Sequence, residues 1–352
     1  MVDDWIKNTL TEVALVRDAL ALLSARTHKT LLVTNTSGRL LGVVTDGDIR
    51  RGFLSGHTLD DPVTQVMNRN PQVAVPSASR QQIKGMMKAS NVLAIPVIDD
   101  GRLVGLEVDS EAQVGVQSND TPIFIMAGGF GSRLRPLTDK CPKPMLELAE
   151  KPMLEILIRQ FKSEGFSNFF ISTHYLPEKI TNYFGNGRKL GVDIKYVYEE
   201  KLLGTGGALG LLPRDLGSKD PIIMINGDIL TTVNFSELLK YHYKSKGLAT
   251  MCTRDYEYQV PFGVVTPNGI FVEDILEKPV QKFNVNAGIY VLSQDLRKYV
   301  LPNKFLNLPN LLQMVISGGD DVSIFPIHEY WLDIGRIEDY TRAKSDIYSL
   351  SL

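Results

Sequence analysis

Between residues 16 and 108 apolar positions recur first at helical spacing and then in short unbroken runs, and this order occurs twice. Asp18-Ala-Leu-Ala-Leu-Leu-Ser-Ala-Arg26 and Gln81-Gln-Ile-Lys-Gly-Met-Met-Lys-Ala89 have the three-to-four-residue apolar period of a helix. Each precedes a short strand (Leu31-Leu-Val-Thr34 and Ala94-Ile-Pro-Val97), a Ser-Gly or Asp-Gly turn and a second strand. Ser37-Gly-Arg-Leu-Leu-Gly-Val-Val-Thr-Asp46 aligns with Asp100-Gly-Arg-Leu-Val-Gly-Leu-Glu-Val-Asp109 at an offset of 63, so the first third of the chain is an internal repeat.

From residue 123 the pattern changes. Strands are expected at 123–126, 168–172, 193–198 and 221–226, and helices around 153–164 and 178–184. Strand-helix alternation of this kind predicts an α/β domain with a mixed, mostly parallel, Rossmann-like sheet, and such sheets hold ligands at the carboxyl ends of their strands. Val116-Gln-Ser-Asn-Asp-Thr-Pro122 is short and polar and ends in Pro, so residues 117–122 are expected to be a linker.

Composition narrows the functions open to the chain. Its 352 residues are enough for two or three cored domains. Lys and Arg total 38 against 40 Asp and Glu, which leaves no broad positive field for nucleic acid or a membrane surface. The two cysteines, Cys141 and Cys252, lack zinc-ligand spacing and suit a reducing compartment. The acidic start lacks a signal-peptide pattern and no apolar run reaches the roughly 18 residues of a membrane span, so a cytoplasmic protein is expected.

The chemistry concentrates after the first strand of the second half. Gly128-Gly129-Phe130-Gly131-Ser132-Arg133 is followed by Pro136, Thr138, Pro142, Lys143 and Pro144. Leu134 occupies the third glycine position of a dinucleotide fingerprint, and no Lys-hydroxyl pair stands where a P-loop needs one. What remains is a glycine loop whose N–H groups can approach an anion, with Arg133 and Lys143 as mobile charge.

This spacing resembles the signature G-x-G-x-R-x-x-P-x-T-x-x-x-P-K of the sugar-1-phosphate nucleotidyltransferases. Six further segments resemble that family's elements in the same order: Leu203-Gly-Thr-Gly-Gly-Ala208, Asn226-Gly-Asp228, Phe262-Gly-Val-Val265, Glu277-Lys278-Pro279, Asn286-Ala-Gly-Ile-Tyr290 and Trp331-Leu-Asp333-Ile-Gly335. The resemblance implies attack by a sugar-1-phosphate oxygen on the α-phosphorus of a nucleoside triphosphate, with pyrophosphate leaving.

It further implies catalysis by Arg133, Lys143 and Asp228. Nucleotide binding would fall to Gly128, Gly129, Gly131, Ser132, Arg133, Gly204, Thr205, Gly206, Gly207 and Asp228, and the sugar phosphate to Gly263, Glu277, Lys278 and Asn286. Mg2+ would be held by Asp228 and Asp333. Several have a plain structural alternative: Asp228 as a turn residue, Glu277 and Lys278 as a solvated pair, and Asp333 as a cap for a helix near Arg336; His174, in Ser-Thr-His-Tyr, is open both to lining the site and to packing at the strand end.

The repeat resembles a pair of CBS domains over residues 1–116, with copies at about 10–58 and 62–116. Gly42-Val-Val-Thr45-Asp-Gly-Asp48-Ile looks like that family's ribose-phosphate motif, implying that Thr45 and Asp48 contact an adenine nucleotide. The second copy has Val108 and Glu111 at those positions, so one full cleft at most is expected, and a pure packing or dimerisation module is the alternative. A homodimer follows from the habit of CBS pairs to associate.

Residues 123–352 are therefore expected to be catalytic, with no β-helix acyltransferase after them. The CBS-first order resembles bacterial enzymes that make guanosine-diphosphate amino sugars, implying GTP and glucosamine 1-phosphate or a related hexose, for glycans of the legionaminic-acid type. Alternatives are a uridylyl or thymidylyl enzyme, or a mannose- or heptose-1-phosphate guanylyl enzyme. A regulatory protein that senses nucleotides without catalysis would be marked by loss of Arg133, Lys143, Asp228 or Asp333, and all four are present.

Overall fold

The computed structural model describes residues 5–25, 29–90, 92–109 and 119–350. Glu111, the first four residues and part of the expected linker lie outside them. The chain divides into two compact units, Met1–Gly115 and Val116–Leu352.

The first unit contains the repeat. Strand β1 (Thr9–Thr11) precedes helix α1 (Val16–Ala25), β2 (Thr30–Thr34), β3 (Leu40–Thr45) and helix α2 (Asp46–Leu54). The second copy supplies helix α3 (Arg80–Ser90), β4 (Ala94–Asp99) and β5 (Arg102–Val108). In each copy the two strands form an antiparallel hairpin, and β1 adds in parallel to β2. Val16, Ala19 and Leu23, on one face of α1, are buried with Leu31, Val33, Val44 and Ile49. That stripe, more than helix propensity, holds so short a helix in place.

In the second unit the elements run β6 (Ile123–Met126), β7 (Glu147–Leu148), β8 (Lys151–Pro152), α4 (Met153–Ser163), β9 (Asn168–Thr173), α5 (Pro177–Phe184), β10 (Asp193–Tyr198), the single turn α6 (Gly204–Gly207), β11 (Ile222–Asn226) and β12 (Ile229–Thr231). Then come α7 (Phe235–Ser245), β13 (Ala249–Gln259), β14 (Val264–Asn268), β15 (Phe271–Leu276), β16 (Val280–Leu292), α8 (Leu308–Ser317), β17 (Val322–Pro326), β18 (Trp331–Asp333) and α9 (Ile337–Asp346).

Seven strands form the central sheet in the order β10-β9-β6-β11-β16-β13-β17. Pairing is parallel from β10 to β11 and between β13 and β17, and antiparallel on both sides of β16. The period-2 geometry of its strands splits the core across two faces. Ile123, Ile125, Ile223 and Ile225 pack under α4, α5 and α7, whereas Phe124, Ile222 and Met224 pack under α8. A strand buried on both faces reads as an unbroken apolar run, which is why 123–126 and 222–225 stood out in sequence.

Residues 119–122 are not a free linker. Asn119 N donates to Gly165 O at 2.9 Å, Ile223 N donates to Pro122 O at 2.9 Å, and Thr121 is fully buried. The Asn119 side chain accepts from Thr121 N at 3.0 Å, so the polar residues that suggested a linker instead form a turn docked on the second unit.

The outer halves of β13 and β16, with the β14–β15 hairpin, form an arm. Almost every residue from Glu257 to Asn284 on it is exposed.

Candidate active site

A cavity of about 370 Å³ opens at the carboxyl ends of β6 and β11. Its floor is the glycine loop. Ala127 N still donates to Ser172 O at 3.1 Å, but among the described residues the N–H groups of Gly128, Gly129, Phe130 and Gly131 donate to no other group of the chain. Gly128, Gly129 and Gly131 line the cavity, so several unspent donors stand where an anion can take them.

Gly131 has φ +62, a conformation that L side chains rarely adopt, and a Cβ there would stand 3.0 Å from both Lys143 Cβ and Thr138 Cγ2. Thr138 Oγ1 donates to the Gly131 carbonyl at 2.9 Å. The Thr of the motif thus shapes the loop rather than meeting a ligand. A short 3-10 turn, Ser132–Leu134, is anchored by the fully buried Leu134 and leaves Arg133 free to line the cavity.

Lys143 begins another 3-10 turn and is buried. Its ammonium pairs with the Asp228 carboxylate and lies 4.0 Å from Asp333 Oδ1. Asp228 and Asp333 are 105 positions apart in the chain, and the antiparallel β12–β18 pair joins them: Ile229 stands opposite Asp333, and Ile334 N donates to Asp228 O at 3.1 Å. The Asp333 carboxyl is held above its ordinary range by desolvation, then by the neighbouring Asp228 charge, with Lys143 and Arg133 opposing. Half of its side chain still meets solvent, so the second carboxylate remains accessible.

This donor set fits a divalent ion. Asp228 Oδ1 is buried and has no hydrogen-bond partner among the described residues, and a second carboxylate stands beside it. Mg2+ takes hard oxygen ligands and is commonly held by one or two carboxylates plus phosphate oxygens. The capping alternative for Asp333 fails, because the residue that closes back on Arg336 at the start of α9 is Asp339, which accepts from Arg336 N at 2.8 Å. Asp228 does sit in a turn, between β11 and β12, and the turn is what presents its carboxylate.

The second glycine segment divides. Gly204 and Thr205 line the cavity. The N–H groups of Gly206 and Gly207 both donate to Leu306 O at 2.8 Å, so these two glycines brace the turn against the neighbouring loop. Thr205 Oγ1 is occupied too, accepting from Leu308 N at 2.9 Å.

Gly263, Glu277, Lys278 and Asn286 do not line the cavity. Gly263 and Glu277 face each other on the exposed arm, where a Cβ on Gly263 would stand 3.0 Å from Glu277 Oε2. Lys278 follows with φ +47, and among the described residues no ion pair joins it to Glu277. Asn286 stands at the arm's root, donating to Tyr290 Oη at 2.6 Å and accepting from Gly288 N at 2.9 Å.

Sequence reasoning missed Glu199, Leu202, Phe305 and Asn307, all of which line the cavity. Glu199 carried a signal, since it directly follows β10 at the carboxyl edge of the sheet. Phe305 and Asn307 lie in an irregular loop and carried none. His174 Nδ1 lies 2.7 Å from Glu199 O and the ring meets Phe130 edge-on at 5.4 Å, so its role is packing at the rim.

A glycine loop with unspent amides, a buried Lys beside paired carboxylates, and a position at the carboxyl edge of a mostly parallel sheet define a nucleotide-handling α/β protein. The chain belongs to the nucleotidyl transferase family, whose model matches residues 123–349. The CBS-domain model matches twice, at 7–55 and 63–106.

Curated relatives include the mannose-1-phosphate guanylyltransferase of Mycobacterium tuberculosis, 30% identical over 230 residues and covering 63% of each chain. The UTP–glucose-1-phosphate uridylyltransferase of Synechocystis is 28% identical over 248 residues, covering 64% of this chain and 63% of the relative. The chain thus spans somewhat under two thirds of the length of such relatives. The structure of HddC from Yersinia pseudotuberculosis complexed with GMP-PN shares the fold, with a TM-score of 0.52, 24% identity, and coverage of 64% of this chain and 99% of HddC.

Proposed function

We propose that the second unit transfers a nucleoside monophosphate from a nucleoside triphosphate to a sugar 1-phosphate, releasing pyrophosphate. The observation that carries this reading is the Lys143 ammonium set between Asp228 and Asp333 beside a loop of unspent backbone donors.

In this reaction a phosphate oxygen of the sugar bonds to the α-phosphorus as the bond to the β-phosphate's bridging oxygen breaks. Little covalent work falls to the protein, so positioning and charge neutralisation dominate. The amides of Gly128 to Gly131 hold the triphosphate, Arg133 meets the charge of the departing pyrophosphate, and Lys143 serves the α-phosphate. Asp228 and Asp333 would hold Mg2+, which when bound offsets repulsion between the two anionic substrates. Glu277, Lys278 and Asn286 are proposed for the sugar phosphate, reached from the arm and its root.

GTP is the triphosphate we favour, since several similar proteins are named as guanylyltransferases. The acceptor is proposed to be a hexose or amino-hexose 1-phosphate, with glucosamine 1-phosphate favoured by the CBS-first domain order. For the first unit we propose an adenine nucleotide at Thr45 and Asp48, and for the whole chain a homodimer. Asp48 is buried at the start of α2, where its carboxylate accepts from Thr45 N at 2.8 Å and pairs with Arg51.

The test is pyrophosphate release with Mg2+, each of GTP, UTP, dTTP, CTP and ATP, and a panel of mannose, glucose and glucosamine 1-phosphates. Release with GTP is expected. No release from folded protein with any pair would refute the reaction, and release with UTP or dTTP alone would refute the base.

A further inference from the structure

The N–H groups of Gly128 to Gly131 donate to no group among the described residues, so whatever fixes this loop acts elsewhere on it. It is held by its carbonyls and by its one side chain. Gly131 O accepts from Leu134 N and from Thr138 Oγ1, both at 2.9 Å, and Gly128 O accepts from Tyr175 N at 3.4 Å. Between them only Phe130 carries a side chain, and its ring meets His174 at 5.4 Å and Tyr175 at 5.5 Å, both edge-on.

Tyr175 reaches the loop by more than its N–H and its ring. Its hydroxyl proton is shared between the carbonyls of Thr138, at 3.1 Å, and Asp139, at 3.0 Å. Thr138 is the residue that holds Gly131, so one side chain ties the entry of the loop to its exit. Tyr175 is itself anchored to the sheet. It stands two residues after Thr173, the buried end of β9, which accepts from Glu199 N at 2.9 Å, and the intervening His174 has Nδ1 2.7 Å from Glu199 O.

Neither Tyr175 nor Phe130 lines the cavity, and Phe130 keeps 46% of its surface exposed. A ring left half in solvent gains little from burial, and its contacts with His174 and Tyr175 are what it contributes. Three glycines in four residues would otherwise sample many conformations, which an arriving anion would have to freeze.

We propose that Tyr175 is a positioning residue for the triphosphate, gripping Phe130 and the carbonyls of Thr138 and Asp139 so that the amides of Gly128 to Gly131 are aimed before the anion arrives. The role rests on this loop being the triphosphate site of the proposed reaction. Ordering the loop in advance removes its entropy cost from binding, and amides aimed beforehand stabilise developing charge without reorganising.

The experiment is calorimetric titration of the full chain with inorganic tripolyphosphate and with GTP, in Mg2+, for wild type, Tyr175→Phe and Tyr175→Leu, beside steady-state pyrophosphate release. Tripolyphosphate has no base or sugar, so it reads the loop alone. Tyr175→Phe keeps the ring and loses the hydroxyl, and is expected to weaken both ligands by about 2- to 10-fold. Tyr175→Leu also loses the ring contact and is expected to weaken both by a further factor of about 2 to 10. KM for the sugar 1-phosphate should stay level. The melting temperature of Tyr175→Phe should move little, because the side chain stands partly in solvent.

If Tyr175→Leu fails to fold, Tyr175→Phe carries the comparison. Unchanged tripolyphosphate affinity in the variants would overturn the proposal, as would equal losses toward tripolyphosphate and sugar phosphate, the mark of a general disturbance. A wild type that binds neither tripolyphosphate nor GTP would overturn it too. Weaker tripolyphosphate binding in the variants, with no pyrophosphate release from wild type, would support Tyr175 and refute the reaction. Release by wild type with affinities untouched in the variants would do the reverse.

Discussion

Lys143 lies against the Asp228 carboxylate with only a tenth of its side chain exposed, so the cation proposed to act on phosphate is neutralised by the carboxylate proposed to hold metal. The two roles are linked. Asp228 would share its carboxylate between the Lys143 ammonium and a divalent ion, and Lys143, held less firmly there, would then be available to a phosphate oxygen.

Lys143→Met is accordingly expected to lower kcat/KM by about 10²- to 10³-fold, the cost of losing one transition-state donor. Affinity for Mg2+ is expected to stay level or rise, since the ammonium that competes for Asp228 is gone. Pyrophosphate release and a Mn2+ titration followed by water relaxation check the two halves separately.

Asp228→Asn and Asp333→Asn are each expected to raise the Mg2+ concentration needed for half-maximal activity by at least about tenfold. The double variant should lose less than the product of the single losses, because both side chains serve one site. Multiplicative losses in the Mg2+ titration would show the two carboxylates acting independently.

Gly131→Ala is expected to destabilise the chain by about 1–2 kcal/mol through its left-handed φ alone. Contact with Lys143 Cβ and Thr138 Cγ2, each at 3.0 Å, adds to that and displaces the loop. A lowered melting temperature together with weaker nucleotide binding is the expected pair of readouts.

His242 is buried between Thr250 and Ser293, and burial lowers its pKa from 6.5 to about 4. The unfolded chain therefore binds a proton between those two values and the folded chain does not, so stability is full above about pH 6.5 and declines as pH falls toward 4. His242→Gln should flatten the melting temperature over that interval, as scanning calorimetry in a pH series would report.

In the first unit, Asp48→Ala is expected to abolish any thermal shift produced by AMP or ATP. The baseline melting temperature should fall as well, because the carboxylate also accepts from Thr45 N. The nucleotide-induced shift, not the baseline, is the diagnostic readout, and a shift of unchanged size would leave the packing role standing.

The elements readable from sequence are those with a local physical cause. The run Ile123 to Met126 is apolar throughout because both faces of the strand are covered, and Gly131 and Arg133 announced the loop by their spacing. The linker expectation went astray at Asn119 to Pro122, since a polar turn docked on a folded unit and a free linker share one composition. Gly206 and Gly207 matched a nucleotide-binding motif, but their N–H groups are spent on Leu306 O, a partner about a hundred residues away that no local pattern reveals.

By itself the sequence determined the repeat, the change to an α/β pattern at residue 123, the glycine loop and the four charged residues Arg133, Lys143, Asp228 and Asp333. All of these are matters of residue type and of spacing within a few turns of chain. Only the tertiary structure decided that β12 and β18 place Asp228 beside Asp333, that Lys143 is held by one of them, and that the Glu199 carboxylate, bonded by the Ser172 hydroxyl and by Leu203 N, stands at a cavity wall. Apart from the Leu203 N–Glu199 bond, those relations join residues from 27 to about a hundred positions apart, and burial and hydrogen-bond occupancy exist only once the chain has closed around them.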